Sequence, residues 1–264
     1  MNEIAIFDYK GIGAMYIGKK RIIIYMMLAC GITWTFNIIQ SLLGITEAPL
    51  AYPFIALAVF GPAIAALIVL HKKVPLRDYI RHCFTFEQKI SNYAIFAAFF
   101  IWRFLLTMTV GDRVEDSTLY FPLLLLPISL FTGGFEELGW RGFLQPQMEK
   151  KMNAVPVAFI FTAYWTIWHI PLFLLPIDPR GPFEIFFMLG FFMTNAFTMA
   201  AIYKLTNSVI LCVFFHAWGN ALTSTFMPGP NWQTITGFSL EWLVSMLILF
   251  LCEKGTIKSA KTKI

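Results

Sequence analysis

The sequence predicts an all-α, polytopic membrane protein, a helix bundle with about eight transmembrane helices and both termini cytoplasmic. Three observations carry that prediction. Of the 264 residues, 58% are hydrophobic, and the mean hydropathy is +0.68. Only 13% are charged, against roughly 25% in a soluble domain. The apolar residues also gather in windows of about 20, the length that spans a bilayer.

The windows lie near 22–43, 51–70, 91–110, 120–140, 155–176, 183–203, 207–226 and 234–252, the last interrupted by Glu241. The segment PLRDYIRHCFTFEQKI (Pro75–Ile90) is too polar to span and reads as an amphipathic piece on the interface. The charges test this division. Lys10, Lys19, Lys20 and Arg21 precede the first window, and Lys72, Lys73, Arg77, Arg81 and Lys89 follow the second. Arg141, Lys150 and Lys151 close the fourth, Lys204 the sixth, and Lys254, Lys258, Lys261 and Lys263 the last. Seventeen of the twenty basic residues thus fall on alternate connections. The opposite connections hold Arg113 and Arg180 with Glu47, Asp112, Glu115, Asp116 and Asp178, and Arg103 lies inside a window. The positive-inside rule then places both termini in the cytoplasm.

The net charge of +5 reads as orientation charge and contact with anionic membrane lipids rather than a nucleic-acid surface. Cys30, Cys83, Cys212 and Cys252 form no close pair, so neither a disulfide framework nor a thiolate metal site is expected. KKRIIIYMMLAC has the outline of a lipoprotein signal, but the apolar run continues through Gly31 to Leu43 as a first helix, and Leu28 fits poorly two places before a lipidated cysteine. No repeat or long linker divides residues 1–264, which read as one domain with a motif core at about 121–222.

Few ionisable groups remain inside the windows: Glu136, Glu137 and Arg141 on the fourth, His169 on the fifth, His216 (with Asn220) on the seventh, Arg103 on the third and Glu241 on the eighth. A charged side chain deep in a bilayer costs roughly 2.5–3.5 kcal/mol on insertion scales, so each such group is a functional candidate. Glu137 and Arg141 are i and i+4 and share a helix face, where they can pair. Glu136 is rotated about 100° away. Arg141 alone would make an ordinary anchor reaching for water, whereas Glu136 is too deep for its short side chain to do so. His216 and Asn220 are also i and i+4, an arrangement that an interhelical hydrogen bond would explain equally well. At ~1.5 Å per residue, Glu136, His169 and His216 all fall roughly 14–20 Å from the cytoplasmic side. That shared level gathers a carboxylate and two imidazoles from three helices.

Beside water and His169, a buried Glu136 suits the role of general base. Asn220 and His216 can donate hydrogen bonds to a developing oxyanion. Glu136, His169 and His216 could instead hold Zn2+ with an open position, although no HExxH supplies a preformed pair. No GxSxG, Ser–Lys pair or paired aspartates offer another nucleophile. Hydrolysis by activated water, with zinc or with no cofactor, is the chemistry these groups support.

EELGWRGFLQP resembles the EExxxR motif of the CPBP family of CAAX proteases and bacteriocin-processing enzymes, also called the Abi family. YWTIWHIPLF resembles its second motif, an aromatic residue followed four places later by His, with Trp165 where Phe is often found. NSVILCVFFHAWGNAL resembles its third, HxxxN. The resemblance is close from Phe121 to Leu222 and reaches the rest in outline. It implies an intramembrane endopeptidase, similar to the Ras-converting CAAX endopeptidase, acting on a CAAX-type, leader or membrane-associated peptide. Glu136 and His169 would activate water, His216 and Asn220 would form the oxyanion side, and Glu137 and Arg141 would brace the site. Some descriptions of the family make it a metalloprotease and others glutamate-dependent. Two other classes fit these residues less well. A non-catalytic scaffold or bacteriocin-immunity protein of this fold has no need of Glu136, His169, His216 and Asn220 together. A proton-coupled transporter would show inverted repeats and broken helices in matching halves, and neither is visible.

Overall fold

The computed structural model describes residues 16–47, 49–115, 117–175 and 182–259. The end segments, and with them Lys10, Lys261 and Lys263, lie outside the described residues, as do Asp116, Asp178 and Arg180.

The chain is helical nearly throughout. Helix α1 (Lys19–Leu42) is followed by α2 (Tyr52–Val59) and α3 (Gly61–Leu70), then a short α4 (Leu76–Cys83) and the long α5 (Ile90–Val110). Next come α6 (Phe121–Ser129), α7 (Glu136–Gly139) and α8 (Gln145–Glu149), joined by wide π turns at Leu130–Gly134 and Trp140–Leu144. The bundle closes with α9 (Ala154–Leu174), α10 (Pro182–Thr206), α11 (Val209–Thr223) and α12 (Trp232–Glu253). Two three-residue strands, β1 (Gly111–Arg113) and β2 (Phe226–Pro228), pair antiparallel where α5 ends and α11 has ended.

Each of the eight windows is helical, and the details differ from a set of straight rods. Among the described residues, six helices or helix runs are long and apolar enough to cross a membrane, including Tyr52–Leu70 with its break at Phe60, and seven if the bent pair Phe121–Gly134 and Glu136–Glu149 makes one span. The fourth window does not stop at 140. It runs on to Glu149 and bends by 45° between Phe121–Gly134 and Glu136–Glu149. The seventh is shorter than its window, because β2 takes Phe226. At 1.5 Å per residue the 15 residues of α11 reach only ~22 Å, short of a ~30 Å hydrocarbon core. Glu241 does not interrupt α12, which is continuous across it.

Burial explains how the elements are arranged. On α1 the buried positions are Tyr25, Ala29, Thr33, Asn37 and Gln40, one stripe at helical spacing, while Ile23, Met27, Ile38 and Leu42 lie exposed. This is the inverse of a soluble helix: the polar residues face the bundle and the apolar ones the surroundings. Helix α11 is the opposite extreme. Every residue from Val209 to Leu222 is buried except Phe214 and Asn220. A helix that is apolar all round belongs inside the protein. Accordingly α11 packs against α5, α6, α7 and α10, while α1 covers α3 and α9, and α12 lies along α10. The polytopic all-α reading therefore holds, and the chain is a multi-pass membrane protein. The segment Pro75–Ile90 contributes only the short α4, with Leu76 and Ile80 on its exposed side.

Candidate active site

The bend in the fourth window builds the site. At Thr132 (φ −104°, ψ 16°) and Gly133 the backbone leaves helical geometry, and Glu136 begins the next helical turn. Such wide-turn irregularities recur at functional sites. The glycines here are needed for space. A Cβ on Gly133 would lie 2.1 Å from Asn220 Nδ2 and 3.1 Å from His216 Nε2. Both polar groups of α11 are therefore aimed at the same point of the bend, and Asn220 Nδ2 donates to the Thr132 carbonyl at 3.4 Å. A Cβ on Gly139 would meet the Pro62 backbone at 2.4 Å, so α3 closes against the other side of the same segment.

Glu137 and Arg141 pair as their spacing predicts. Arg141 Nη1 donates to Glu137 Oε2 at 2.7 Å, and both residues are 0% exposed. Arg141 does not snorkel. Its Nη2 donates to the Ala196 carbonyl at 3.1 Å and its guanidinium lies 4.5 Å over the Phe161 ring, so it ties the bend to α10 and α9. Sequence reasoning missed the second partner of Glu137, whose Oε1 lies 2.9 Å from His216 Nδ1. Facing a carboxylate already held by arginine, Nδ1 carries its hydrogen, and Nε2 is left toward Gly133 and Asn220.

Glu136 points elsewhere, as the helical period requires. It is 3% exposed, and its Oε2 accepts from Trp140 Nε1 at 3.1 Å and from Trp165 Nε1 at 2.9 Å. Its Oε1 takes no hydrogen bond among the described residues. Trp165 also anchors both imidazoles. Its carbonyl lies 2.8 Å from His169 Nδ1, which must therefore be the protonated nitrogen, leaving Nε2 as acceptor. Its ring meets His169 edge-on at 5.3 Å and His216 at 5.5 Å. Phe192 of α10 stacks on His169 at 4.4 Å. Pro171, two places on, leaves α9 helical to Leu174. The sequence flagged Trp165 only as the aromatic of a motif and Trp140 not at all. A buried indole usually finds an acceptor for its N–H, and Trp140 lies four residues after Glu136 on one helical run, which were the available signals.

Helices α7, α9 and α11 thus bring Glu136, His169, His216 and Asn220 around Trp165 and Gly133, with Glu137 and Arg141 behind. Arg103 and Glu241 are not part of this group. They pair with each other across α5 and α12. The arrangement does not suit a three-ligand metal centre of Glu136, His169 and His216. Among the described residues no three His, Cys, Asp or Glu side chains are close enough to hold one ion. These hydrogen bonds engage Glu136 Oε2 and the two Nδ1 atoms and leave Oε1 and both Nε2 atoms open, so the spacing of the side chains, not their partners, tells against a shared ion.

Residues 118–222, which carry all six of these positions, match the family described as type II CAAX prenyl endopeptidase, Rce1-like. The chain is also similar to CAAX prenyl protease 2 of Methanococcus maripaludis, 26% identical over an alignment of 166 residues that takes in 53% of this chain and 59% of that protein. The chain thus spans about 59%, less than two thirds, of the length of the curated relative it matches. The order of the three motifs, the bent helix that carries the first of them and the matching segment 118–222 agree in making this part of the chain similar to the CAAX protease family.

Proposed function

We propose that this protein is an intramembrane endopeptidase that hydrolyses a peptide bond of a CAAX-type, leader or other membrane-associated peptide with water activated by Glu136. One observation carries the reading: a buried glutamate held by two donors on Oε2, with Oε1 unengaged among the described residues, linked through Trp165 to an imidazole whose Nε2 is an acceptor. In the proposed reaction Glu136 Oε1 accepts a proton from water and the oxygen attacks the scissile carbonyl carbon. The C=O bond becomes an oxyanion, which Asn220 Nδ2 meets, joined by His216 Nε2 when that ring carries both protons. Preorganised donors of this kind each contribute about 10²–10³ in rate. Collapse of the intermediate restores the carbonyl and breaks the C–N bond. The leaving nitrogen takes the proton from Glu136, with His169 Nε2 available to pass it. Glu137 and Arg141 hold His216 and the bend in place.

The test is cleavage of prenylated and unprenylated CAAX peptides by purified protein, with products identified by mass spectrometry. Glu136→Gln should reduce the rate by about 10²–10⁴ while the protein still inserts and stays folded. Equal rates for this variant and the wild type would end the reading. The chemistry also runs without metal in this scheme. Protein stripped with EDTA, and free of zinc by elemental analysis, should cleave at the original rate. Loss of activity on stripping, restored by one zinc per chain, would overturn that part.

A further inference from the structure

We propose that Trp165 and Trp140 are positioning residues for Glu136: their two indole N–H groups clamp Oε2 and so fix Oε1 as the oxygen that faces water. The proposal rests on the endopeptidase reading and adds to it a device that Glu136, His169, His216 and Asn220 do not supply.

The clamp is specific. Trp34 and Trp218 donate to backbone carbonyls, Trp168 donates to the Thr33 hydroxyl, and Trp242 Nε1 has no partner among the described residues. Trp140 and Trp165 converge instead on one carboxylate oxygen, from two different helical segments. Both are held rigidly. Trp140 is fully buried, edge-on to Phe161, Tyr164 and Trp168 at 5.6–5.7 Å, and Trp165 is wedged against Phe161, Phe192 and both imidazoles. A free glutamate side chain has several rotamers and two equivalent oxygens. Two donors on one oxygen remove both ambiguities before substrate arrives, which is preorganisation in the sense that counts for catalysis. Trp165 further couples the base to its neighbour, since its carbonyl orients His169 while its indole orients Glu136. Phenylalanine in its place would keep the carbonyl and a smaller aromatic ring but would supply no N–H, whereas benzothienylalanine would keep the shape as well.

The experiment compares Trp165→Phe, Trp140→Phe and the replacement of Trp165 by benzothienylalanine, which keeps the indole shape without the donor. Each should lower kcat by about tenfold to a hundredfold, the effect of one hydrogen bond to a charged group, with KM within about twofold. Unchanged kcat in all three, with Glu136→Gln inactive, would overturn the clamp and leave the endopeptidase reading standing. A parallel rise in KM with kcat unchanged would also overturn it, by assigning the indoles to substrate binding. A readout independent of turnover is the indole ¹⁵N–¹H resonances of labelled protein. Those of Trp140 and Trp165 should move upfield in Glu136→Ala. If both stay in place, the clamp does not exist, whatever the activity of the wild type.

Discussion

Two buried carboxylate centres in this bundle are built differently. Glu241 of α12 is 2% exposed, and both of its oxygens are taken. Arg103 donates to each, through Nε at 3.0 Å on Oε2 and through Nη2 on Oε1, and the Thr198 hydroxyl adds a bond to Oε1 at 2.8 Å. The network runs on through Arg103 Nη1 to Asn195 at 2.8 Å and from Thr198 to Ser245 at 3.1 Å. It binds α5, α10 and α12 together. Glu137 is of the same kind, with Arg141 on one oxygen and His216 on the other. Glu136 is 3% exposed, so it is equally buried, yet its donors all fall on Oε2. A carboxylate saturated on both oxygens is a lock. One saturated on a single oxygen is fixed in place and still free to accept a proton. Burial alone does not separate these roles; the distribution of donors does.

The contrast makes isosteric amides diagnostic. Glutamine keeps one acceptor oxygen and turns the other into a donor. At Glu136 that oxygen can still serve both indoles, so Glu136→Gln should lose cleavage while its melting temperature in detergent stays close to wild type.

The locks should behave in the reverse way, and the largest stability effect belongs to the centre remote from the site. Arg103→Ala strands a buried glutamate and should destabilise by about 3–5 kcal/mol, read as a large drop in melting temperature. Replacing Arg103 and Glu241 together by Leu and Met should recover most of it. If the single variant melts like the wild type, Arg103 and Glu241 do not form the lock described. Asn220→Ala touches no lock and removes one donor beside the reacting atoms. Its kcat should fall by about 10²–10³ with little change in melting. A kcat near the wild-type value would remove Asn220 from the oxyanion side. The smallest effect is expected at Glu137. Glu137→Gln must turn its amide nitrogen toward either Arg141 or His216, both donors, and should cost about 1.5–3 kcal/mol of stability with partial loss of activity. Should Glu137→Gln prove as stable as Glu136→Gln, the distinction between saturated and half-saturated carboxylates fails.

The sequence by itself determined the membrane class, the helical character of its apolar windows and the identity of the polar residues that need a reason. Apolar windows and buried charge carry that information locally, because each window must satisfy the bilayer on its own terms. The pairing of Glu137 with Arg141 was legible too, since a four-residue spacing fixes neighbours on any helix. The tertiary structure decided everything that depends on one helix meeting another. The bend at Thr132–Gly133 follows from the approach of Asn220 and His216 to a glycine with no side chain in the way. The pairing of Arg103 with Glu241 spans 138 residues, and that of His216 with Glu137 spans 79. The convergence of two indoles on one oxygen of Glu136 comes from helices whose sequences say only that each tryptophan needs an acceptor. Trp140 reaches Glu136 at the four-residue spacing of its own helical run, but that Trp165 reaches the same oxygen is set by packing between helices, which no periodicity within a single helix encodes.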